Sequence, residues 1–239
     1  MPHVVHDRAM WDRHGWVFDL VSDDELRRRR ARIRARERDN ALLAANRTRN
    51  EVWWRAGQTW APDDPAMAAE MARAEADHAA ALAETFFAPI APYLSPGWSR
   101  QSEEKPSSEQ FAILYLEWEM AYPDEWYQDA GTYLSPCGLK GSILRAMDWH
   151  GVSEPGRAAV EKLLLAAVRG RYRAKDWRST RVARHLDSRP LREALGTIAD
   201  GGDDAAALRA AFVLSRLDNP DLSANRRSYG NWLKERTQT

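Results

Sequence analysis

One cysteine, Cys137, stands in a chain of 239 residues. That excludes an intrachain disulfide framework and a cysteine-built metal site. Long apolar runs are missing as well. None approaches the roughly 18 residues of a membrane span, and the opening MPHVVHDRAM carries no apolar signal core. A soluble, cytoplasmic protein with no membrane partner is expected. Net charge is absent: 35 basic residues balance 35 acidic ones, which removes any global bias toward nucleic acid or lipid. Lysine is scarce, confined to positions 105, 140, 162, 175 and 234. Arginine therefore supplies most of the positive charge, and with so much alanine this pattern follows GC-rich coding, so each arginine cluster is discounted accordingly. Strand alternation is missing, and so are the GxxxxGK[ST] phosphate loop and the ligand spacing of a calcium loop.

Tryptophan is abundant, at 11 residues. It suits packing and binding surfaces alike. The stretch that dominates the pattern is Phe111 to Tyr127, FAILYLEWEMAYPDEWY. At about 100° per residue, Phe111, Leu114, Trp118 and Tyr122 fall on one side of a helix, with Ile113, Leu116 and Met120 on the other. A helix apolar all round belongs inside a larger helical domain. Ser107 and Gln110 read as a capping box at its start, and Pro123 as its end. Glu117 and Glu119 are its polar residues and project at separate angles. They read as seam residues that reach solvent or an arginine, or as acid/base carboxylates in an apolar pocket wall.

Ahead of this stretch, residues 1–21 read as an irregular lead-in that docks Trp11, Trp16 and Phe18. Ser22 and Glu25 form a capping box for a long helix. Its arginines, Arg27 to Arg38, wrap all faces, so its first turns are expected in solvent or on an anionic partner. A break near 46–50 is allowed before Trp53, Trp54 and Trp60. Asp64-Pro65 starts an alanine-rich helix to about Phe87. It contains Glu75 and His78, an E-x-x-H pair of the kind di-metal carboxylate bundles use twice; one copy is present. Residues 95–108 read as a linker between an N-terminal helical unit, 1–94, and a C-terminal unit, 109–239, with a shared core left open. Residues 61–135 are acidic and their flanks basic, which invites internal neutralisation.

Ser135 to Ser142 reads as a loop entering a helix over 142–150, with Lys140 and the glycines as a weak anion site. Asp148 and His150 close that helix before Gly151. Short helices follow at 154–169, 177–186, 189–199, 204–217 and 223–234. WRSTRVARHLDSRPL (177–191) echoes LRAAFVLSRLDNPDL (208–222) at a spacing of 31 residues: Arg178 matches Arg209, Val182 matches Val213, Leu186 matches Leu217 and Asp187 matches Asp218. At the level of fold this resembles the antiparallel helical pairs of HEAT-like arrays.

The fold expected is all-α, a multi-helix domain with a HEAT-like array in its C-terminal half. The strongest local functional signal is the basic run 169–192. There Arg171, Arg173, Arg178, Arg181 and Arg184 are interleaved with Tyr172 and Trp177, a combination that holds anions and stacks on rings. The leading reading is a non-catalytic interaction module with no cofactor. It engages a protein, or a second copy of itself, or another anionic partner through this face. Nucleic acid is the alternative partner. A second class is an all-helical enzyme with Glu117 or Glu119 as acid/base. In its divalent-metal form Glu75, His78, Asp148 and His150 are ligands, provided they converge.

Overall fold

A computed structural model describes residues 8–95, 105–130, 135–170 and 176–236. All regular structure among them is helical, so the all-α expectation holds. The α-helices run in order: α1 (Arg8–His14), α2 (Glu25–Arg55), α3 (Pro65–Ala83), α4 (Ala91–Leu94), α5 (Lys105–Ala121) and α6 (Pro123–Asp129). Then come α7 (Pro136–His150), α8 (Glu154–Arg169), α9 (Ser179–Val182), α10 (Arg189–Ala199), α11 (Asp204–Asp218) and α12 (Arg226–Arg236). Three 3-10 turns complete the set, Gly15–Val21 ahead of α2 and Asp176–Arg178 and Ala183–His185 on either side of α9.

The apolar-all-round reading of the central stretch is met by α5. Phe111, Ile113, Leu114, Tyr115, Leu116 and Trp118 are all buried. Burial of each such side chain contributes about 1.5–3 kcal/mol before entropy is set against it. α5 packs on α4, α6, α7, α8 and the 3-10 turn that precedes α2. Val17, Leu20, Phe86, Ile90 and Tyr93 from before the linker share one core cluster with Ile143, Met147, Leu164, Leu191 and Val213 from after it. α8 approaches α5 closely at Gly156, where a Cβ would lie 2.9 Å from Ile113 Cδ1 and 3.2 Å from Glu109 Oε2.

Several boundaries differ from the sequence reading. α5 begins at Lys105, so Ser107 lies inside the helix and is buried; it is not the cap. Part of the expected linker is therefore helix, and residues 96–104 lie outside the described ones. α2 is capped by Asp24, whose side chain accepts from Leu26 N and Arg27 N, and not by Ser22. It runs unbroken through 46–50. α7 starts at Pro136, so the supposed loop 135–142 is its first two turns. The caps at Asp64, Ser153, Ser188 and Asp203 are as expected, each accepting from a backbone N–H of its helix.

One face of the arginine-rich start of α2 packs on α6, while Arg27, Arg29, Arg30 and Arg34 stay exposed as expected. Arg28 donates to Glu125 at 3.0 Å and Arg32 reaches Glu125 at 3.1 Å. Arg32 and Arg36 both grip the buried Asp129 of α6. The guanidinium of Arg28 also sits 4.0 Å over the Tyr122 ring. The acidic middle thus neutralises this part of the basic flank. Farther along, α2 and α3 form a hairpin around Val52, Met71 and Ala74, with Trp53 packed against them.

In the C-terminal half, α10 and α11 make one antiparallel hairpin. Arg192, in the first turn of α10, bonds Asp218, the last residue of α11, at 2.6 Å. Arg192 also bonds Asp187 at 2.7 Å, so the two echo-related aspartates share one arginine. Val182 and Leu186 are buried like their counterparts Val213 and Leu217. The backbones differ, however. Residues 208–218 are continuous α-helix, whereas 176–185 pass through 3-10, α and 3-10 turns in place of the expected helix 177–186. Among the described residues this one hairpin is a weak indication of the pairing that a HEAT-like array repeats.

His14 is 4% exposed, against Phe111. Burial is the first cause that lowers its pKa from 6.5 to about 4, with Glu84 opposing and Arg13, Arg34 and Arg38 assisting. Because the unfolded chain binds this proton more readily, stability is full above about pH 6.5 and falls as pH drops toward 4. Relative to His14→Phe, the wild type should lose about 2 kcal/mol between pH 7 and pH 5, at about 1.4 kcal/mol per unit. Urea denaturation of both proteins at the two pH values measures this, and an equal loss in both would contradict it.

Candidate functional site

Lys140 lies on the apolar stripe of α7 with Ile143, Leu144 and Met147. An ammonium there must find anionic partners. It donates to Glu119 Oε1 of α5 at 3.0 Å and to Asp176 Oδ1 at 2.6 Å. All three side chains are less than a tenth exposed. The ammonium is thus a buried tie between α5, α7 and the start of the 176–185 segment, and is not held out to an anion at the helix N-terminus. Glu119 belongs to this tie. Glu117 is half-buried elsewhere on α5; burial raises its carboxyl above the ordinary range, while Lys162 pulls the other way. The two glutamates have different partners, as their angular separation implies.

Asp176 opens the segment that carries three of the expected partner-binding arginines. Asp148 of α7, also buried, receives two of them: Arg181 at 2.8 Å from Oδ2 and Arg184 at 2.8 Å from Oδ1. Arg184 also donates to the Asp148 backbone carbonyl, and His185 Nε2 lies 2.8 Å from the same oxygen. Arg178 stands differently. Its guanidinium is 4.6 Å from the centre of the Trp177 ring, and among the described residues it forms no ion pair. Its Nε is buried with no hydrogen-bond partner. Burial lowers its pKa, and the positive charges of Arg145 and Arg181 lower it further against the single pull of Asp148. Arg145 projects from the same face of α7 toward exposed Trp149, 6.0 Å from its ring centre.

The result is four guanidiniums, from Arg145, Arg178, Arg181 and Arg184, around one carboxylate, flanked by Trp149 and Trp177. Such a cluster holds uncompensated positive charge beside flat apolar surface. Arg171 and Arg173, with Tyr172, lie outside the described residues.

The metal-ligand candidates occupy separate places. Glu75 and His78 are on α3 and face α2. Arg49 donates to His78 Nδ1 at 3.2 Å and lies 3.9 Å from Glu75. Burial, then Arg49, lowers the pKa of His78. Asp148, at the end of α7 near His150, is taken up by arginines. Among the described residues, no three His, Cys, Asp or Glu side chains gather in a group able to hold a metal ion. No described helix is long and apolar enough to cross a membrane. Compared with known proteins, the chain matches no family model, no curated protein and no solved structure.

Sequence reasoning missed Lys140 and Asp176 as partners of Glu119, and missed Arg145 and Trp149. The signal for Lys140 was its place at i in an i, i+3, i+4, i+7 apolar set. The signal for Arg145 and Trp149 was their spacing of four with Asp148 between them on one helix face.

Replacing Lys140 with Met removes the ammonium shared by two buried carboxylates and should destabilise the fold by roughly 3–5 kcal/mol. Combining it with Glu119→Met and Asp176→Leu should recover most of that loss. Urea denaturation of the single and triple variants tests the tie, and a single variant within about 0.5 kcal/mol of wild type would refute it.

Proposed function

We propose that this protein is a helical interaction module whose arginine–tryptophan face, built from α7 and residues 176–185, engages an acidic segment of a protein partner. The observation that supports this reading is the state of Arg178. Its guanidinium is partly desolvated, stacked on Trp177, crowded by Arg145 and Arg181, and without an ion pair among the described residues. A carboxylate placed beside it relieves the like-charge repulsion. Arginine beside exposed tryptophan is also the residue chemistry of interface hot spots.

The shape of the charge favours a short acidic protein segment over nucleic acid. Among the described residues the cationic cluster is compact and centred on one aspartate. Beyond it the basic run is interrupted, because Arg189 pairs with Glu193 and Arg192 with Asp187 and Asp218. A phosphate backbone is read by a continuous track of positive charge. The surface is rigidly presented: Arg181 and Arg184 are fixed by Asp148, and the segment begins at the Asp176 tie to Lys140.

Fluorescence anisotropy with labelled deca-glutamate and with labelled ten-nucleotide oligothymidylate separates the readings. The peptide should bind, bind more weakly as salt is raised, and lose roughly tenfold or more in affinity in Arg145→Glu/Arg178→Glu. Among the described residues the two substituted side chains make no ion pair, so circular dichroism and melting should stay near wild type. Tighter binding of the oligonucleotide would favour the nucleic-acid reading. Peptide binding that ignores both substitutions would remove this face from the account.

A further inference from the structure

A recess lies against the 176–180 segment. It encloses about 370 Å³ between α8, that segment, α11 and α12. This is within the size range of small-molecule sites, which are mostly apolar with a few placed polar groups. Leu164, Val168, Phe212 and Val213 form its apolar wall, and Trp177 and Tyr229 present rings to it.

Its polar lining is uneven in charge. Asp176 is engaged by Lys140 at 2.6 Å. Arg209 and Arg226 are the cations. Arg209 donates through Nε and Nη2 to the carbonyls of Val168 and Gly170, which fixes its position beside the cavity. Arg226, in the first turn of α12, is exposed and forms no ion pair among the described residues. Burial raises the pKa of the Tyr229 hydroxyl, while the charge of Arg209 acts against it, so the hydroxyl is a donor close to that guanidinium.

One wall is also weakly held. α12 has no buried residue. Aromatic contacts contribute to its anchorage: Phe212 meets Tyr229 at 5.0 Å and Trp232 at 5.5 Å between ring centres. Elements with little buried surface open at low cost, as binding elements do.

We infer that this cavity is a binding site for a small aromatic molecule bearing one anionic group, its rings against Phe212, Trp177 and Tyr229 and its anion toward Arg226 and Arg209. The apolar wall supplies affinity, and the two arginines select the charge. The site adjoins the arginine–tryptophan face and shares Trp177 with it, whereas Arg226, Arg209 and Tyr229 take no part in that cluster.

Two probes of like shape test it: 1-anilinonaphthalene-8-sulfonate, an aromatic anion, and N-phenyl-1-naphthylamine, its uncharged counterpart. Titrated into the folded chain and followed by fluorescence and calorimetry, the sulfonate should bind one to one and more tightly than the amine. Arg226→Glu, on an exposed side chain, should weaken the sulfonate at least about fivefold and leave the amine unchanged, about 1 kcal/mol of charge recognition. Ala167→Phe, which adds a ring to the cavity lining, should weaken both. Circular dichroism confirms that each variant is folded. No saturable binding of either probe, or binding indifferent to both substitutions, overturns the inference. Equal affinity for the two probes overturns the anionic selection.

Discussion

A carboxylate on a helix buried over most of its surface must be answered by the protein, and α5 imposes that requirement on its neighbours at Glu109 and Glu119. Glu109 accepts from Ser153 N at 3.0 Å, which sets the start of α8 against it. Glu119 is answered by Lys140, which sets α7. Lys140 then reaches Asp176, where the functional segment begins. The buried carboxylates of α5 therefore act as registration points. An apolar pair of the same shape would be as stable or more so, but it would not specify which helix turn lies opposite. The order runs from a polar requirement in the core to the placement of Arg178, Arg181 and Arg184 at the surface.

The arginines divide into two populations by their partners. Those of α2 at 28, 32 and 36 meet Glu125 and Asp129 and hold the long N-terminal helix to α6. Those around Asp148 outnumber their one carboxylate and retain charge. In a chain of zero formal net charge, the location of unpaired charge says more than its total. The larger run, from Arg27 to Arg38, has acidic partners at several points, and the smaller cluster on α7 and 176–185 carries the functional reading.

How much of this was legible in the sequence follows from the range of each interaction. The helical class, the burial of Phe111 to Trp118, and the caps at Asp64, Ser153, Ser188 and Asp203 depend on residues a few positions apart, and periodicity and capping chemistry report them. The early start of α5 and the unbroken run of α2 through 46–50 have no local signal in the sequence. The first turns of α7 looked like a loop because of Pro136, Gly138 and Gly141, yet the helix accepts proline at its start, and Gly141 is buried. Arg178, Arg181 and Arg184 were visible as a cluster. Asp148 at its centre is at least 30 residues away in sequence, and the Lys140–Asp176 contact spans 36. No local pattern encodes pairings of that range. The four metal-ligand candidates failed to gather for the same reason: a single E-x-x-H spacing fixes two side chains on one helix and says nothing of what packs opposite.

The central claim is that the buried Glu119–Lys140–Asp176 tie holds the arginine-bearing segment in place. Amide hydrogen exchange, read by mass spectrometry in wild type and in Asp176→Asn, tests it directly. The substitution keeps size and hydrogen-bonding capacity but removes the charge that Lys140 holds at 2.6 Å. The account predicts faster exchange confined to residues 176–185, with the α10–α11 hairpin and the interior of α5 unchanged. Unchanged protection in 176–185, or an even loss across all helices, would contradict it.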